Sequence, residues 1–153
     1  MCCLLATGAG KWYTFFIMAL PIQKLREIVF HLLYSRDFEA SREDAFPFLM
    51  EHHKVTKKSL HQAEDILSEL LKHHSEIDDS IKAYSKEYEF DRIPRVERNV
   101  LRLGIFEMLY SKDTPPKVAM SEAIRLARKY ATAESAQFVN GVLDSVYKGS
   151  HAT

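Results

Sequence analysis

Residues 138–146 read FVNGVLDSV, and how this stretch is interpreted decides the fold. Taken alone, Asn140 and Gly141 between apolar residues are a strong short-range signal for a two-residue β-hairpin turn. The surrounding period overrides it: Phe138, Val139, Val142, Leu143 and Val146 recur at steps of three and four, the spacing of one face of a helix rather than the alternation of a strand. In the helical reading, Gly141 lets a neighbouring helix approach closely.

The same period runs back to Pro21, with no convincing strand. Leu25, Ile28, Val29, Leu32 and Leu33 give a first helix to about Ser35, with Pro21 at a plausible first helical position. A second, shorter helix opens at Ser41 or Arg42 and is lined by Ala45, Phe46, Phe48 and Leu49; Pro47 is uncomfortable there unless it lies in the first turn. The third carries Leu60, Ala63, Leu67, Leu70 and Leu71 to about His73, with Ser59 and Gln62 at capping-box spacing. Ile77, Ile81 and Tyr84 mark a fourth, opened by acidic residues that suit the positive end of a helix dipole.

Glu89 to Pro94 breaks the pattern as a linker. The helix from Arg95 to about Tyr110 is apolar around much of its circumference and is expected to be central, and Ala119, Ala123, Leu126, Ala127 and Tyr130 face inward from a sixth helix after Pro115 and Pro116. Seven helices joined by short connections predict an all-α bundle of two helical subdomains hinged near Glu89 to Pro94.

Composition agrees. The 153 residues are 46% hydrophobic and 27% charged, ordinary values for a globular chain able to bury a core. Five Gly and five Pro are roughly half the average usage, too few for an all-β chain with a turn every ten residues. Twenty-one Lys and Arg balance twenty-one Asp and Glu, so any hold on nucleic acid must be local or shared with a partner. The only cysteines, Cys2 and Cys3, offer neither a C-x-x-C pair nor a disulfide framework, as expected of a reducing, cytoplasmic compartment.

The first twenty residues stand apart. Trp12 to Leu20 is apolar, but no positive charge precedes it beyond Lys11, and no clear small-x-small cleavage site follows. As a transmembrane span, the first twenty residues would place Lys11 near the bilayer centre at a cost of about 2.5–3.5 kcal/mol, so no membrane role is expected. Met18 offers an internal start, which makes the preceding segment a mis-assigned or loose extension; an intact mass that includes Met1 would exclude that reading.

Catalytic signatures are absent: there is no Gly-rich phosphate loop, nucleophile elbow, H-E-x-x-H motif or cysteine suited to attack, and no acid and base pair stands out. His52, His53, His61, His73 and His74 cluster in sequence, but adjacent residues point about 100° apart on a helix and none has a histidine at i+4, so no metal site is expected. Two features stand out. Arg95, Arg98 and Arg102 form one stripe, either a partner-contact face or a solvated and ion-paired one. Lys112, Lys117, Arg125, Arg128 and Lys129 outnumber Asp113 and Glu122, and with Lys24 and Arg26 could form a modest basic patch.

Three stretches carry a family resemblance: REIVFHLLYSRDF from Arg26, VERNVLRLGIFEML from Val96, and KVAMSEAIRLARKYATAESAQFVNGVLDSV from Lys117. Together they resemble the NusB transcription antitermination factors over about residues 21–148, leaving residues 1–20 as an extension and 149–153 as a tail. The resemblance implies a seven-helix fold of two subdomains and a non-enzymatic function without cofactors. Such proteins pair with NusE, a small-subunit ribosomal protein, bind boxA RNA in nascent ribosomal RNA, and join the RNA polymerase antitermination complex.

RNA contact is implied at Gln23, Lys24 and Arg26, at Tyr34, and at Gln137 and Phe138; NusE contact is implied at Asp91 and Glu97. Unpaired bases stack on aromatic faces, although Phe138 could equally pack in the core. The dense arginine run that many members carry before the first helix is reduced here to Lys24 and Arg26, which predicts weaker phosphate affinity. A helical module that binds NusE without RNA is one alternative. Another is the NusB-like leading domain of a ribosomal RNA methyltransferase, which the ending at Thr153 disfavours. The resemblance also admits a homodimer that hides the RNA surface.

Overall fold

The computed structural model describes residues 20–152, which hold seven α-helices and no strand. The helices are α1 (Ile22–Arg36), α2 (Arg42–His53), α3 (Lys57–Lys72), α4 (His74–Tyr84), α5 (Arg95–Leu109), α6 (Pro116–Tyr130) and α7 (Ala133–His151), with a 3-10 turn at Phe90–Arg92. The seven-helix expectation holds. The expectations for the N-terminal extension and Met18 fall outside the described residues, except for Leu20.

Local chemistry sets most boundaries. Ser41 caps α2 by accepting from the Asp44 amide at 3.2 Å, and Thr132 caps α7 through the Ser135 amide at 3.1 Å. Thr56 caps α3, accepting from the Ser59 amide at 3.3 Å, so Ser59 is inside the helix and is not its cap. Pro47 lies inside α2, beyond the first turn, where its missing N–H leaves one intrahelical bond unmade. Phe48 does not line the inner side of α2 as its spacing suggested; it is 62% exposed, while Phe46, Leu49 and His53 are buried.

Helix α5 is central, with every residue from Glu97 to Met108 buried except Arg98. It packs chiefly against α6, α7, α1 and α4, and α1 packs in turn against α3 and α2. The packing therefore groups α1–α3 and α4–α7. Because Ile77 and Ile81 bury α4 against the second group, the linker at 89–94 lies within that group rather than between the two.

The close approach expected at Gly141 occurs at another glycine. Nothing lies within 4 Å of where a Gly141 Cβ would stand, whereas one on Gly104 would meet the Ala123 Cβ at 3.0 Å and Leu143 Cδ1 at 3.3 Å. Gly104 is what lets α5 lie tightly against α6 and α7.

Polar groups also tie the elements together. Arg102 on α5 is buried, with Nε 2.8 Å from Asp78 Oδ1 and Nη2 2.9 Å from Asp78 Oδ2 on α4, and it donates to Asn99 Oδ1 at 3.1 Å. Asn99 donates to Asp37 Oδ2 at 2.7 Å, which anchors the end of α1. The arginine stripe is thus split by environment: Arg102 is locked inside, Arg98 lies 5.3 Å over the Phe90 ring, and Arg95 is exposed, 4.5 Å over the Phe38 ring. Among the described residues, no helix is long and apolar enough to cross a membrane.

Candidate nucleic-acid and partner interface

Helix α1 supplies the first candidate face. Lys24, Glu27, His31 and Tyr34 follow at steps of three and four, so they share one side of the helix, and Phe38 continues the line past its end. At the N-terminal end of this line, Lys24, Gln23, Glu27, His52, Lys54 and Lys129 help line an open groove of about 460 Å³. Lys24 and Lys54 make no ion pair among the described residues.

Other cations here are engaged. Arg26 is buried, its Nε 2.8 Å from both carboxylate oxygens of Glu107, with Nη1 3.7 Å from Glu122. Burial pushes the Glu107 carboxyl above its ordinary range against the pull of Arg26. Glu27 takes Arg125 Nη1 at 2.7 Å and Lys129 Nζ at 2.9 Å. Burial alone would raise the Glu27 carboxyl, but these two partners outweigh it and hold it below the ordinary value. Gln23 is exposed and donates to Glu122 Oε1 at 3.0 Å. Three of the seven cations in the patch read from the sequence, Arg26, Arg125 and Lys129, are therefore neutralised, leaving Lys24, Lys112, Lys117 and Arg128 unpaired among the described residues.

Tyr34 is half-buried. Its ring lies 6.0 Å from Phe30 and 5.1 Å from Phe38, which is 53% exposed and carries the Arg95 guanidinium on its face. Phe38 was missed in the sequence because it lies past the end of the first helix; its signal was a large apolar side chain in a polar turn.

Gln137 and Phe138 lie on the first turns of α7, in a different neighbourhood. Phe138 is half-buried and meets Tyr88 edge-on at 5.5 Å. Both Phe138 and Tyr88 line a groove of about 520 Å³ with Gln137, and a smaller one of about 260 Å³ with Glu97, Arg92 and Ser135. Glu97 is itself buried, accepting from Ser135 Oγ at 2.5 Å, whereas Asp91 is exposed on the 3-10 turn. The structure thus groups Gln137 and Phe138 with Glu97, and Lys24 with Gln23 on α1. Tyr34 reaches α5 through Phe38 and Arg95, two residues before Glu97 in the chain.

The histidines give one result that single-helix spacing could not foresee. His31 of α1 stands against both His52 and His53, with ring centroids 6.1 and 5.1 Å away. Burial and the two neighbouring imidazoles lower the His31 pKa to about 4, and burial lowers that of His53.

Comparison with known proteins bears on this arrangement. The NusB family model matches residues 23–148. The transcription antitermination protein NusB of Methylacidiphilum infernorum (isolate V4) is 35% identical over 130 residues, covering 84% of this chain and 91% of that protein. A chain of the crystal structure of antitermination factors NusB and NusE in complex with dsRNA superposes with a TM-score of 0.70 at 30% identity, covering 83% of this chain and 96% of its own length. T. maritima NusB superposes with a TM-score of 0.70 at 34% identity, covering 86% and 93%.

Proposed function

The chain belongs to the NusB family, and from that premise we propose that it is a non-enzymatic transcription antitermination factor that pairs with NusE and binds boxA RNA in nascent ribosomal RNA. The pair would join the RNA polymerase antitermination complex in the cytoplasm. The observation that carries the RNA half of this reading is the α1 line: an unpaired Lys24 at the mouth of a groove, then Tyr34, then an exposed Phe38 capped by Arg95. Lysine neutralises phosphate, and aromatic faces accept unstacked bases at about 1–3 kcal/mol each. Gln23 borders the same groove and can turn from Glu122 to a ligand.

Arg26 has a different role in this reading: paired with Glu107, it holds α1 against α5 and sets the line's position. Gln137 and Phe138 contribute a second RNA contact beside Tyr88. NusE, a basic ribosomal partner, is taken at the 3-10 turn and the start of α5, where Asp91 supplies an exposed acid and Glu97 a carboxylate in the adjoining groove. Such charges steer association and orientation more than they add affinity.

A second reading, a NusE-binding module without RNA affinity, is favoured by the pairing of Arg26, Arg125 and Lys129 with carboxylates. Alanine substitutions at Tyr34 and Phe38 separate the two. The RNA reading expects each to weaken boxA binding by the NusE complex about tenfold with NusE affinity unchanged; unaltered RNA affinity in both folded variants would support the second reading.

A further inference from the structure

We propose that His31, His52 and His53 form a binding site for one divalent transition metal ion of the zinc type, joining α1 to the end of α2. One nitrogen from each ring lies within 4.8 Å of the others. The His52 and His53 ring centroids are 4.9 Å apart, so the three rings face one small volume.

A second observation points the same way. His53 is only 7% exposed, and its Nε2 is buried without a hydrogen-bond partner, a costly state that a metal would relieve. Its neighbours are suited to ligation. Burial keeps His31 and His53 neutral, so they offer lone pairs instead of protonated rings. The Tyr130 hydroxyl lies 3.1 Å from His31 Nε2 and 3.4 Å from Glu27 Oε2, a chain of the kind that orients metal-ligating imidazoles. His52 and His53 also occupy the last turn of α2, whose carbonyl end favours a cation.

Two features oppose binding. Lys24 and Lys54 border the adjoining groove, although Lys129 there is neutralised by Glu27. Tetrahedral coordination at about 2.0–2.1 Å spaces ligand nitrogens by roughly 3.4 Å, so no pair needs to close by more than about 1.4 Å. The exposed His52 ring can turn to make that closure. Three imidazoles leave a fourth position for water, and the ion would fasten α2 to α1 beside the groove.

Calorimetric titration of the tag-free full chain with zinc chloride tests this, with Cys2 and Cys3 changed to Ser because thiolates bind zinc themselves. The expected result is one ion per chain, a rise in melting temperature on binding, and at least a tenfold loss of affinity with no zinc-dependent shift in His52→Ala. That residue is exposed, and circular dichroism checks that the variant stays folded. A control, His73→Ala with His74→Ala, should bind zinc like the parent. No saturable one-to-one binding, binding indifferent to His52→Ala, or binding lost in the control would each overturn the site. None of these readouts depends on RNA or NusE.

Discussion

Arg26 of α1 and Glu107 of α5 face each other across the interior, the Nε of one 2.8 Å from both carboxylate oxygens of the other, and both side chains are buried. The sequence places Arg26 among the cations before and within the first helix; the fold uses it as a cross-brace. Breaking one side of such a pair strands a buried charge at about 3–5 kcal/mol, whereas replacing both with apolar residues of similar volume is often close to neutral. Urea denaturation should therefore show a large loss of stability for Arg26→Met, most of it recovered when Glu107→Met is added. Equal instability of single and double variants would contradict the brace.

Two of the helical glycines, Gly104 and Gly141, should respond oppositely to alanine. At Gly104 the new Cβ meets the Ala123 Cβ at 3.0 Å, and neither can rotate away, so Gly104→Ala is expected to cost about 1–3 kcal/mol. At Gly141 there is open space, and Gly141→Ala should stabilise by up to about 1 kcal/mol through helix propensity. Melting temperatures of the two variants check both signs.

Glu27 sets an acid limit on stability. Its carboxyl is held below the ordinary value of 4.5 by Arg125 and Lys129, so the folded chain binds its proton less readily than the unfolded one. The stabilisation is then fully present above about pH 4.5 and is lost as pH falls through the lower folded value. Denaturation measured at pH 7 and pH 3.5 should show a smaller difference for Glu27→Gln than for the parent.

Asp91 offers the cleaner test of the proposed NusE surface. Glu97→Lys would also weaken NusE binding, but it breaks the hydrogen bond from Ser135 and disturbs α5 against α7. Asp91 is exposed, so Asp91→Lys changes charge without touching packing. Its expected effect is weaker NusE binding at low salt, converging on the parent as salt rises; an unchanged dissociation constant at low salt would count against this surface.

What was legible in the sequence follows from which interactions are periodic. Helices α5, α6 and α7 could be read because their apolar residues repeat every three or four positions, strongly enough to override Asn140 and Gly141. The α3 cap was misplaced from Thr56 to Ser59 because both hydroxyls precede the same stripe, and only the backbone path decides which one accepts. Phe48 and Gly104 depend on what lies opposite them, which no single-helix period encodes. The candidate site suffered more: whether Arg26 is available or spent depends on Glu107, eighty-one residues away. The histidine trio likewise becomes visible only once α2 folds back on α1.

The most direct measurement is titration of a labelled boxA RNA with this protein, with its cognate NusE, and with the two together, at two salt concentrations. The account expects the mixture to bind much more tightly than either component, with a shallow salt dependence that reflects the few unpaired cations on the α1 face. If NusE binds the protein and RNA affinity does not rise, the account is contradicted and the fold serves protein interaction alone.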